Sequence, residues 1–191
     1  MTQKLRHIAT TTTGFYKKPD SVGNAFYLHG KHFDQWGNLK KDAVLPKDIW
    51  IDERTKKHVL KDKDLLFIAK GDNNRACMYY EQYGKAVASS LFFVIRVDQR
   101  ILIPEYLRWY INAPPIQSKL GLFSRGSHIP SISKKLLLEL EVYVPPISIQ
   151  RQILEVEELW QKEREITERI LANKENYYQN LLINLAKEKS E

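Results

Sequence analysis

The sequence predicts a mixed α/β (α+β) domain over residues 1–146, followed by a long coiled-coil-type helix over residues 147–191. Three observations carry that expectation. The first part alternates short apolar and aromatic runs with proline-opened helical stretches. No Gly or Pro interrupts Ile147–Glu191, where apolar residues recur at three- and four-residue steps. Charge divides at the same place: residues 1–146 hold 23 Lys/Arg against 14 Asp/Glu, and residues 147–191 hold 7 against 9.

Taken in order, Phe26-Tyr27-Leu28 and Asp64–Ala69 read as short buried strands, and Ala86–Val97 as one longer strand. Pro104 opens a helix to Asn112, because proline is tolerated in the first turn. Ala113-Pro114-Pro115 stops it, and a second short helix around Ile116–Leu122 ends near Gly126. A Gly126-Ser127 turn leads to the apolar stretch Leu136–Leu138, then to an alternating strand, Leu140–Val144, and Pro145-Pro146. Ser148 is placed to cap the last helix, although Arg151 stands where a capping box needs Glu or Gln. That helix carries Ile153, Val156, Trp160, Ile170, Tyr177 and Leu181 along one stripe. At about 1.5 Å per residue, a helix of about 40 residues spans about 60 Å. It is too long to lie wholly on a domain of this size, so its stripe calls for another helix. A fold-back hairpin, with its turn in the polar patch Asn173–Asn176, is the alternative.

Bulk properties narrow the class. The 191 residues suffice for one domain with an appendage, and 43% hydrophobic content with four Trp and ten Tyr argues against disorder. No apolar run approaches the roughly 20 residues of a membrane span, and the start has no hydrophobic signal core, so a cytoplasmic protein is expected. The single cysteine, Cys77, excludes an internal disulfide and a multi-cysteine zinc site, and a buried structural thiol is expected there.

Catalytic patterns are missing. Asn112-Ala113-Pro114-Pro115-Ile116 only echoes the Asn/Asp-Pro-Pro-aromatic element with which adenine methyltransferases hold a flipped base. No (Asp/Glu)-x-Lys triplet accompanies Pro19-Asp20, so the Mg²⁺-binding carboxylate pattern of common nucleases is absent, as is a P-loop. His29 and His32 have no second ligand pair, and Ser127-His128 has no placed acid; neither a catalytic nor a metal site is expected.

The basic first part suggests a polyanionic partner, and the mixed-sign tail a protein partner. Lys70-Gly71-Asp72-Asn73-Asn74-Arg75 places amides and a guanidinium on one turn. Arg pairs with guanine and Asn with adenine, so such a turn suits base edges, although the same residues also suit an ordinary Asp-Asn turn. Lys119, Ser124, Arg125, Gly126, Ser127 and His128 form a second polar, basic group suited to phosphate. Tyr16-Lys17-Lys18 with Asn24 and Lys31 forms a third.

Residues 126–153, GSHIPSISKKLLLELEVYVPPISIQRQI, follow the form G-S-x-x-P-x-I, then L-x-x-L-x-[IV]-x-[LIV]-P-P-[LI]-x-x-Q-x-x-I. This resembles the end of a target-recognition domain in type I restriction–modification specificity subunits. Three further segments match in order: Lys61–Gly71, with Lys63 in place of the usual glycine, Ala86–Phe93, and Ile103-Pro104-Glu105-Tyr106-Leu107. Full members carry two recognition domains and two long helices, so this chain resembles a half-length form. The resemblance implies a non-catalytic, sequence-specific subunit binding double-stranded DNA at a bipartite site. It further implies methyltransferase (M) subunits as partners and, through them, restriction (R) subunits. S-adenosylmethionine and ATP belong to those partners, and no cofactor is expected for this chain. A homodimer, or pairing with a second half-subunit, would restore two helices. A non-DNA-binding helical adaptor is the rival reading.

Overall fold

Strand pairing decides where the loops of this chain go. The computed structural model describes residues 1–18, 22–71, 74–123 and 131–188. The elements are β1 (Thr2–Lys4), α1 (Leu5–Ile8), β2 (Ala9–Thr13), β3 (Phe26–Leu28), β4 (Leu65–Ile68), β5 (Ala76–Met78), β6 (Ala86–Ala88) and β7 (Phe92–Val97). They continue with α2 (Pro104–Asn112), α3 (Pro114–Phe123), α4 (Lys134–Leu138), β8 (Glu141–Tyr143) and α5 (Ile147–Glu188). An antiparallel sheet of order β2-β7-β4-β5 forms the centre; β3 pairs with β6 in parallel and β1 with β8 antiparallel.

The core follows from the apolar runs. All four residues of β4 are buried, which is why that strand reads as a continuous apolar run rather than an alternation. Leu66 and Ile68 join Leu28, Phe33, Cys77, Tyr79, Phe92 and Val94 in one core cluster. Asp64, 2% exposed, opens β4 and accepts from Arg96 Nε at 2.7 Å and Nη2 at 2.8 Å. Just before it, Lys63 holds φ at 62°, a left-handed conformation that costs a side-chain-bearing residue about 1–2 kcal/mol. This accounts for the glycine of the family pattern at that position. Here Lys63 Nζ meets Glu105 Oε1 at 3.0 Å, so the lysine brings an ion pair in exchange.

Several expectations change. Ala86–Val97 is two strands, not one: a turn at Ser89–Leu91 carries the chain from the β3–β6 pair into the central sheet. Ser89 N donates to Leu28 O and Phe92 N to Ser89 O, so the small polar residues supply the break. Pro114-Pro115 both stops α2 and opens α3. Ala113, held extended at ψ 136° before a proline, is the hinge, and first-turn prolines lack only N–H groups that have no helical partner. Helix α5 begins at Ile147, so Ser148 lies inside its first turn rather than capping it. Strands β1, β2 and β5 were not anticipated; Thr10-Thr11-Thr12-Thr13 shows no apolar alternation, and β2 owes its place to pairing with β7.

The chain divides into two compact units, Met1–Gln150 and Arg151–Glu191. In the first, Gln150 is 0% exposed; its Oε1 accepts from Ile103 N at 2.8 Å, and its Nε2 donates to Ile101 O at 2.9 Å and Pro145 O at 2.8 Å. The second unit is helical through Glu188, so Asn173–Asn176 forms no hairpin turn. Lys162 pairs with Glu158 at 2.6 Å, and Arg164 lies 4.9 Å over the Trp160 ring. Val156, Trp160, Ile170, Tyr177 and Leu181 are all exposed on this helix, and Ile153 is half-buried. Among the described residues no helix is long and apolar enough to cross a membrane.

Candidate nucleic-acid interface

One end of the central sheet gathers the basic turns. The pairs Thr13–Phe93, Ile68–Phe92 and Phe67–Ala76 set the C-termini of β2 and β4 beside the N-termini of β7 and β5. The parallel β3–β6 pair reaches the same end: Ser89 N donates to Leu28 O, and Phe15 bridges Ser89. Ala69 N donates to Leu91 O, and Lys70 bridges Ser131. Lys17 and Lys18 after β2, Lys31 after β3, Lys70 after β4 and Arg75 before β5 therefore lie along one edge, although they are spread over 59 positions of sequence. Lys18, Lys31 and Lys70 are exposed. Lys17 Nζ approaches Trp50 O at 3.5 Å, beside an indole that is 51% exposed, and Tyr16 is 79% exposed.

Other candidates are placed differently. Asn74 is buried at 7% exposure, and its Nδ2 donates to Ile68 O at 3.0 Å, which holds the β4–β5 turn. Asn24 lies at the opposite end of β3, where its Oδ1 accepts from Ile51 N at 2.8 Å. Lys119 lines a separate cleft with Lys4, Leu136, Glu139 and Glu141. Asn73, Arg125, Ser127 and His128 lie outside the described residues. His32 is buried; its Nδ1 accepts from His29 N at 3.2 Å, and burial keeps the imidazoles of His29 and His32 below their ordinary pKa. Among the described residues no cluster of three or more His, Cys, Asp or Glu could hold a metal ion.

Glutamines were missed, because an isolated Gln carries no motif. Gln35, Arg75, Asn112 and Gln117 line a cleft of about 150 Å³ at the β5 corner of the edge. Asn112 Oδ1 accepts from Ala76 N and its Nδ2 donates to Ala76 O, each at 2.8 Å, so the end of α2 holds the start of β5. Arg75 Nη2 meets Phe33 O at 3.5 Å. The guanidinium also lies against the Cys77 thiol, a weak acceptor; burial dominates there and pushes the thiol up to about 12, as expected of a structural cysteine.

Comparison with known proteins places this architecture. It resembles a chain of the type I R-M system, solved for its complex assembly and conformational transition, with TM-score 0.64 and 16% identity. That match covers 95% of this chain and 43% of the other. The HsdS subunit from Thermoanaerobacter tengcongensis matches with TM-score 0.58 and 18% identity, over 85% of this chain and 37% of that one. The type I restriction–modification S subunit from M. genitalium matches with TM-score 0.59 and 11% identity, over 85% and 39%. This chain thus spans less than half the length of each of the three. No curated protein sequence matches it significantly. The family model for the type I restriction modification DNA specificity domain matches residues 36–175, most of the chain, with the turn, strand, double proline and helix opening inside it. The chain belongs to the type I restriction modification DNA specificity domain family.

Proposed function

We propose that this chain is a non-catalytic DNA specificity subunit of a type I restriction–modification system. In this reading residues 1–146 are the recognition domain, and the helix over residues 147–191 joins that domain to a second one. The observation that carries the proposal is the convergence of Lys17, Lys18, Lys31, Lys70 and Arg75 on one sheet edge within a member of this family. The lysines grip phosphate and position the duplex, while Arg75 reads base edges. Methyltransferase subunits, and through them restriction subunits, act where the chain directs them, and they bring the cofactors. Asn74, buried, serves as a backbone tie rather than a reader, and Asn24 ties the backbone through its Oδ1 at the far end of β3, away from this edge.

Salt dependence tests the grip. Affinity for duplex DNA is expected to fall steeply between about 50 and 200 mM salt, with a log–log slope near −0.9 per phosphate neutralised. Lys18→Ala and Lys70→Ala should each flatten that slope by about 1 while weakening all sequences alike. Binding that ignores salt would instead favour an adaptor that meets protein.

The tail completes the site by pairing. Ile153, Val156, Trp160, Ile170, Tyr177 and Leu181 follow a three–four spacing, with Thr167 and Lys174 as polar seam positions that favour one register. An antiparallel two-fold pair places identical recognition domains at opposite ends and reads an interrupted palindrome. Light scattering on the chain should give about twice its 22.5 kDa mass, and Ile170→Asp should return the monomer. A monomer at all concentrations, or a requirement for a different half-subunit, would replace the homodimer.

A further inference from the structure

The cleft at the β5 corner is unfinished in its hydrogen bonding. Arg75 Nε is buried and has no hydrogen-bond partner among the described residues. Its Nη2 contact to Phe33 O, at 3.5 Å, is at the limit of a hydrogen bond. Since the guanidinium lines the cleft and its protein acceptors are a carbonyl at the limit of reach and a weakly accepting thiol, a ligand that brings stronger acceptors to its outer nitrogens is favoured there. Gln117 donates its Nε2 to Ile111 O at 2.8 Å, which leaves its Oε1 as the acceptor the cleft can offer. Gln35 is exposed on the rim. Asn112 is different: both ends of its amide are spent on Ala76, so it is a positioning residue that aims the strand carrying Arg75.

Donor and acceptor together select the ligand. Phosphate offers acceptors only and would set its charge against Gln117 Oε1. In the major groove a G·C pair offers two adjacent acceptors, guanine N7 and O6, followed by a donor, cytosine N4. An A·T pair has no two adjacent acceptors for a guanidinium fork, and its thymine methyl would meet a polar wall. We infer that Gln35, Arg75 and Gln117 form a reading site for a single G·C pair. Arg75 donates to guanine, Gln117 Oε1 accepts from cytosine N4, and Gln35 closes the pair from the rim. The inference rests on the DNA-reading function proposed above and adds to it two readers and the base pair they select.

The test is selection of duplexes from a randomised library by the full chain, alone or bound to its methyltransferase subunits. Wild type, Gln117→Ala, Gln35→Ala and Arg75→Lys are compared, each with a thermal melt. At one position where wild type selects G·C, Gln117→Ala and Arg75→Lys should lose roughly 5- to 150-fold in preference, with other positions unchanged. Gln35→Ala should lose preference at that same position; being exposed, it folds normally and decides the matter if the others do not fold. An unchanged motif, a uniform loss at all positions, or a loss at an A·T position would overturn the G·C site while leaving DNA reading intact. Wild type selecting no motif would overturn both.

Discussion

Gln150→Ala is expected to destabilise the Met1–Gln150 unit by about 3 kcal/mol, since each buried backbone group left unpaired costs about 1–3 kcal/mol. The side chain is fully buried and serves three backbone groups, at Ile101, Ile103 and Pro145. Denaturant unfolding should show a lower midpoint at an unchanged slope. Gln150→Glu sharpens the test. Its Oε atoms can still accept from Ile103 N, but they face the Ile101 and Pro145 carbonyls with no proton to donate. The buried carboxyl's folded-state pKa is then raised above its unfolded value. Stability of this variant should therefore recover as pH falls through the folded pKa, and be lost again as pH rises. The wild-type amide should show no such dependence at this site.

The second large effect is expected at the Asp64–Arg96 pair. Arg96→Met should cost about 3 kcal/mol, the low end of the range for removing one partner of a buried pair, because Arg96 keeps about a third of its side chain in solvent. What remains is an almost fully buried carboxylate still accepting from Lys61 N at 2.9 Å but lacking its cation. The double variant Asp64→Leu, Arg96→Met should recover most of the loss, because a well-packed apolar pair often replaces a buried ion pair at little cost. A double-mutant cycle by denaturant unfolding checks this; additive losses would show that the two residues act independently.

How much of this was legible beforehand depended on whether the determinant was local. Helix α2 and the unbroken α5 follow from proline placement and period, both short-range properties, and both appear where expected. The motif that ends in Gln150 was visible as a pattern, yet its reason was not: the three groups that glutamine serves lie up to 49 positions away. Strand β2 was invisible because a threonine run acquires its role only beside β7. The same limit governs the candidate site. Residue types nominated Lys17, Lys31, Lys70 and Arg75, and strand pairing, antiparallel in the central sheet and parallel for β3–β6, put them on one edge. Residue types equally nominated Asn24 and Asn74, and tertiary geometry tied one half of each amide to the backbone. An asparagine that reads a base and one that ties a turn have the same letter in a sequence.

The gathering of the turns at one sheet edge also bears on how such a protein changes over evolutionary time. The paired backbone of β4 and β7 and the Asp64–Arg96 tie hold the fold from the strands, while Lys17, Lys31, Lys70 and Arg75 hang from strand ends. A flexible loop that doubles in length costs only about 0.6 kcal/mol more to close. Insertions, deletions and exchanges in these turns can therefore accumulate without melting the ladder beneath them. A lineage that must escape a rival's recognition, or acquire a new one, can rewrite the edge and inherit the scaffold unchanged.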